Sequence, residues 1–153
     1  MSNIYSTALM DHHAHPDYKY EITEATHAHQ GINPSCGDEL VLRLRMQNDV
    51  IEEAAFTGKG CAVSQASADM MADLITGETV EEARRLTGLF IGMIQGNELS
   101  EQDKEDLDEA AVLESVSKMP ARVKCAELAW RTLEGILDGK NELEGSAQAA
   151  STE

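Results

Sequence analysis

Basic residues are scarce in this chain: 12 Lys and Arg stand against 28 Asp and Glu, a formal net charge of -16 over 153 residues. Phosphate backbones and anionic membranes repel such a surface, which argues against nucleic-acid and lipid-surface partners. Long apolar runs are missing too, so no membrane span is expected. The opening stretch MSNIYSTALMDHH lacks a basic region followed by an apolar one, so no secretory signal is expected and a cytoplasmic address follows. Cysteines number three, an odd count. Without an export signal they are expected to be thiols or ligands and not disulfides. Aromatics amount to 4%, which leaves Leu, Ile, Val, Met and Ala to fill the core. At 42% hydrophobic, a chain of this size buries a core as one domain without staples.

What is present reads as an α+β fold, a small antiparallel β-sheet of about three strands packed against several helices. Ile4, Tyr5, Ala8 and Leu9 are spaced for a helix over residues 2–13, ended by Pro16. The stretch Tyr18–Gly31 mixes β-branched and polar residues and reads as a strand. Leu40, Leu42, Leu44 and Met46 alternate with Val41, Arg43, Arg45 and Gln47, a strand with one apolar and one basic face. Gln47–Asp49 make a tight turn. The return strand VIEEAAFTG alternates imperfectly, because Glu52 shares a face with Val50, Ala54 and Phe56. Glu53 is placed to pair with Arg43 or Arg45. The glycines of TGKGC break this strand. A helix then carries Ala66, Met70 and Leu74 to a stop at Gly77. Thr79 and Glu82 form a capping box for the next helix, which carries Leu86, Phe90 and Met93 and ends at Gly96. Gly96–Glu109 reads as an acidic connector, a solvated loop or a frayed helix. VLESVSKMP is a helical turn closed before Pro120. Ala126, Ala129, Trp130, Leu133 and Ile136 mark the last helix. The domain is expected to span 1–138, with a disordered polar tail over 139–153.

The chemistry lies in the cysteines. Cys36 falls before a strand, Cys61 before a helix and Cys125 at or near another helix start, and none sits within an apolar stripe. Buried structural cysteines take core positions instead. Lys59 precedes Cys61 by two, and Arg122 and Lys124 flank Cys125; cations and helix N-termini favour thiolate. Three thiolates with the carboxylate of Asp38 suit tetrahedral Zn²⁺. The spacings match no zinc finger, so the tertiary fold must assemble such a site. His12, His13 and His15, with the pair His27 and His29, offer a rival metal site but are expected to be surface residues. GKGC lacks the features of a phosphate-binding loop.

The segments MDHHAHP, NPSCGDEL, FTGKGCAVSQASADMM and MPARVKCAELAW resemble successive signatures of the SufU branch of IscU/NifU-like iron–sulfur assembly proteins, over roughly residues 4 to 138. Two features point to that branch: a long stretch between Cys61 and Cys125, with an insert around 80–115, and Lys124 where IscU proteins carry histidine. The resemblance implies zinc held by Cys36, Asp38, Cys61 and Cys125. It implies that Cys36 accepts persulfide sulfur from a PLP-dependent cysteine desulfurase of the SufS type, a histidine of which displaces Cys36 from the zinc. The sulfur then passes to the SUF scaffold complex containing SufB. Arg122 is a candidate to support the thiolates or the partner contact. The basic residues usual after MDH are replaced here by AHPDY. Two other readings stand beside this one. The same ligands could hold iron or a nascent Fe–S cluster, as in a scaffold, or a closed zinc site could serve a purely structural adaptor.

Overall fold

Leu40, Leu42 and Leu44 bury one face of strand β2 (Asp38–Gln47), while Arg43 and Arg45 stay partly exposed on the other. The period-2 pattern is thus realised as read. The computed structural model describes residues 6–144 and 150–151. β2 pairs antiparallel with β1 (His27–Asn33) and β3 (Val50–Lys59), and a two-residue β4 (Ala150–Ser151) adds parallel to β1. The order across the sheet is β3-β2-β1-β4.

The imperfect alternation of β3 has a physical cause. Arg45 pairs with Glu53 but Met46 pairs with Ile51, so Glu52 is an extra residue in a β-bulge. The bulge lets Ile51, Ala54 and Phe56 all turn inward. It leaves Glu53 opposite Arg45, with Nη1 2.9 Å from Oε1. Asn48 and Asp49 form the turn with positive φ.

There are five helices, α1 (Thr7–Ala14), α2 (Ala62–Ile75), α3 (Val80–Ile94), α4 (Glu101–Leu107) and α5 (Pro120–Leu137), with a 3₁₀ stretch at Asp108–Lys118; α2 and α5 pack on the sheet, α1 packs on α2, and α3 packs on α5. Thr79 caps α3 by accepting from the Glu82 N–H, half of the expected capping box; the Glu82 carboxylate turns to Arg85 instead. Trp130 of α5 stacks on Phe90 of α3, ring centroids 4.2 Å apart, at the centre of the packing.

Several expectations are corrected. The acidic connector, read as a solvated loop or frayed helix, holds the anchored helix α4, because Ser100 caps it through the Asp103 N–H at 3.1 Å, Glu101 and Asp103 suit its N-terminal dipole, and Leu107 is buried. The strand expected over Tyr18–Gly31 begins only at His27. Before it, Tyr18 and Lys19 run along the free edge of β3, and the Phe56 N–H donates to the Tyr18 carbonyl. β3 continues through Gly58 to Lys59 where a break was expected. The tail expected from 139 is anchored at its start: Asn141 is buried and accepts from the Ala28 N–H, and Glu142 accepts from the Gln30 N–H. Within the expected tail, 145–149 and 152–153 lie outside the described residues, as do Ile4 and Tyr5 of the first helix.

Two histidines expected on the surface are not there. His29 is fully buried on β1. His12 is 12% exposed and bridges Asp69 of α2, at 2.6 Å, and Glu109, at 3.0 Å. Burial opposes charge on His12, but the hydrogen bonds to the two carboxylates outweigh it and raise its pKa. Burial likewise raises that of Asp69. A folded-state value above the unfolded one, about 6.5 for histidine, gives stability that is complete below that pH and lost as pH climbs through the folded value. His12→Gln is therefore expected to lose more stability near pH ~6 than near pH ~8. Urea unfolding of both proteins at the two pH values checks this; an equal deficit at both would contradict it.

Candidate metal centre

β1 lies against α5 so that its alternate residues meet successive turns of the helix. The His29 ring packs on Gly135, Gly31 on Thr132 and Leu128, and the Asn33 side chain reaches Cys125, Nδ2 3.6 Å from Sγ. Gly31 is required there, because a Cβ would run into the Thr132 hydroxyl. This docking brings the end of β1 and the turn after it to Cys125.

In that turn the Asn33 carbonyl accepts from the N–H groups of Cys36 at 3.3 Å and Gly37 at 3.0 Å. Gly37 supplies φ +72. The result is an exposed Cys36 beside a buried Asp38, which is 1% exposed. Asp38 opens β2, and both its oxygens are held: Oδ2 accepts from Asn33 Nδ2 at 3.1 Å and Oδ1 from the Cys61 N–H at 2.9 Å. Cys61 is the N-cap of α2, its sulfur accepting from the Ser64 N–H at 3.4 Å.

The ligand atoms of Cys36, Asp38 and Cys125 lie within 4.8 Å of one another. Cys61 stands just outside that cluster and is tied to it by a hydrogen bond with Cys125. That bond pulls the Cys61 thiol down to about 6, against burial and with help from the Ser64 amide. The same bond, with burial and Asp38, pushes the Cys125 thiol up. Three sulfurs and a preoriented carboxylate match the donor set that Zn²⁺ prefers.

Cys125 departs from expectation. It lies in the second turn of α5, near the helix start as expected, but fully buried within the core cluster where a position outside any apolar stripe was expected. Lys59 does not serve the Cys61 sulfur, because its exposed ammonium faces Glu39 at 3.9 Å. Arg122 lies half-buried in the first turn of α5. The histidines form no cluster with three ligand atoms among the described residues. Asn33 is a further residue of the site; its signal in the sequence is an Asn three places before Cys36, a residue type that also forms turns.

Gly60 adjoins the site on its other side. A Cβ there would lie 2.6 Å from Asp38 Oδ1 and would also strike the Ser64 hydroxyl. Asp38 cannot yield freely, since both oxygens are engaged. Gly60→Ala is therefore expected to lower zinc affinity about 10- to 100-fold while costing about 1–3 kcal/mol of stability. Competition with a chromophoric chelator and urea unfolding measure the two; unchanged zinc affinity would contradict the placement of Asp38.

Residues 4–126 match the NifU-like N terminal domain family. The chain is 38% identical to the zinc-dependent sulfurtransferase SufU of Bacillus subtilis over 134 residues, covering 88% of this chain and 89% of that one. It is also 38% identical to the iron-sulfur cluster assembly scaffold protein IscU of Streptococcus pyogenes, covering 87% and 82%. A crystal structure of an iron-sulfur cluster assembly scaffold protein for the SUF system from Fervidobacterium islandicum superposes with a TM-score of 0.80 at 36% identity, covering 86% and 94%. The chain therefore belongs to the NifU-like N-terminal domain family of iron–sulfur cluster assembly proteins.

Proposed function

We propose that this protein is a zinc-dependent sulfurtransferase that accepts persulfide sulfur from a PLP-dependent cysteine desulfurase of the SufS type and delivers it to the SufB-containing SUF scaffold complex in the cytoplasm. One observation carries the reading: of the two thiols gathered with Asp38, Cys36 and Cys125, and of Cys61 beside them, only Cys36 is exposed. Cys36, Asp38, Cys61 and Cys125 would hold the ion. Zinc, when bound, keeps the thiols ionised at neutral pH and guards them from oxidation without redox chemistry of its own.

The chain's own residues do the rest. The turn presents the Cys36 sulfur to a partner. Its thiolate attacks the terminal sulfur of the donor persulfide, the donor S–S bond breaks, and a donor thiolate leaves as the new S–S bond forms on Cys36. Electrons balance without an added oxidant. Asp38, Cys61 and Cys125 stay in place because each is held within the fold. Arg122, in the first turn of α5, is assigned to support the thiolates or the partner contact. No helix among the described residues is long and apolar enough to cross a membrane.

A second reading, the scaffold of a nascent cluster, draws on the same thiolates and on the relatives named IscU. Lys124, in place of the scaffold branch's histidine, favours sulfur transfer. Metal analysis of the purified protein, with desulfurase turnover measured in its presence and absence, separates the two. Bound zinc and faster turnover are expected. A visible-absorbing cluster that transfers to an apo-acceptor would overturn the reading in favour of a scaffold.

A further inference from the structure

We propose that the Asn33 side chain is a positioning residue of the metal centre, which fixes Asp38 as a ligand and weakens the Cys125 sulfur as a donor, so that Cys36 is the sulfur left most reactive. The assignment rests on the reading of the site as a metal centre.

Asn33 is fully buried, and its amide nitrogen donates both to Asp38 Oδ2 at 3.1 Å and to Cys125 Sγ at 3.6 Å. Its Oδ1 is buried with no hydrogen-bond partner. Most buried side-chain polar atoms find a partner. Here the carbonyl end goes unmatched while the donor end is spent on two candidate ligands. The backbone of the same residue holds the loop, its carbonyl accepting from Cys36 and Gly37.

The three sulfurs then differ in kind. Cys125 receives the Asn33 N–H, and Cys61 receives the Ser64 N–H. Cys36 Sγ has the Ala121 carbonyl at 3.9 Å, an acceptor that offers a thiolate nothing. An N–H donated to a thiolate draws off its charge and makes it a poorer nucleophile and a weaker donor. Such outer-shell bonds tune metal sites generally. Cys36 receives no such N–H among the described residues and stands at the exposed end of the site.

The test uses Asn33→Leu, which keeps the shape and removes the amide, and Asn33→Asp, which puts an acceptor where the donor was. Zn²⁺ affinity is measured by chelator competition, and the sulfur-to-metal charge-transfer band is read on Co²⁺-loaded full-length protein. We expect Zn²⁺ affinity to fall about 10- to 100-fold in both variants. In Asn33→Leu the band should move to longer wavelength, because the unmasked Cys125 sulfur gives up charge more easily. Circular dichroism of the metal-free variants controls for folding. An affinity and band unchanged in the folded variants would overturn the assignment alone. Variants that both fail to fold would make the amide structural and also overturn it. A wild-type protein that takes up neither ion would remove the reading of the site, and the assignment with it.

Discussion

Cys36→Ala is expected to end sulfur acceptance and leave the fold intact. Supplied with a cysteine desulfurase and cysteine, the variant should carry no protein-bound persulfide and should not stimulate the desulfurase. The side chain is exposed at the tip of a turn whose conformation is set by Gly37 and the Asn33 carbonyl, not by the thiol. Removing it therefore changes stability by less than about 0.5 kcal/mol. Neither remaining thiol can take over. Cys125 is fully buried, and Cys61 is engaged by the Ser64 amide and by Cys125. Mass spectrometry of the variant after incubation reads the outcome, and a urea melt confirms the fold. Persulfide on the variant at wild-type yield would assign the acceptor elsewhere.

The second large effect is on stability. Trp130 is fully buried, stacks nearly parallel on Phe90, and donates from Nε1 to Ser67 Oγ at 3.0 Å. Ser67 in turn donates to the Ala126 carbonyl at 2.6 Å. This clamp joins α2, which starts from Cys61, to α5, which holds Cys125. Trp130→Ala removes the ring and leaves the Ser67 hydroxyl short of a partner. A loss of about 3–5 kcal/mol is expected, a large share of the roughly 5–15 kcal/mol available to a domain. Trp130→Phe keeps most of the volume and should lose less. Urea unfolding followed by circular dichroism is the measurement, since this is the chain's only tryptophan. A loss below about 1 kcal/mol, the middle of the range for ordinary substitutions, would show that the clamp does not hold the helices.

These two effects mark where the sequence was legible. Leu40, Leu42 and Leu44 announce β2 because a half-buried strand forces alternation, and Thr79 announces α3 because a helix start leaves its amides unsatisfied. Glu52 was visible only as an irregularity, since a bulge is fixed by pairing with a partner strand. Cys36 and Asp38 were readable as a pair because the turn that joins them is local. Cys125 was not readable as a core residue. It falls in no apolar stripe of the sequence, and its burial depends on β1 packing along α5, a contact between residues about ninety positions apart. His12, Asp69 and Glu109 come together for the same non-local reason, which a scan for clustered histidines misses. Asn33 looks like a turn former and is one; that its amide faces the side chains of Asp38 and Cys125 depends on where α5 lands.

The proposed function implies that sulfur sits on one named atom. The most direct measurement is peptide mapping by mass spectrometry of the zinc-loaded protein after brief reaction with desulfurase and cysteine, with alkylation to trap persulfides. The added sulfur is predicted on the peptide bearing Cys36, with Cys61 and Cys125 unmodified. Sulfur on Cys61 or Cys125 with Cys36 unmodified, or no protein-bound sulfur while the desulfurase turns over, would contradict it.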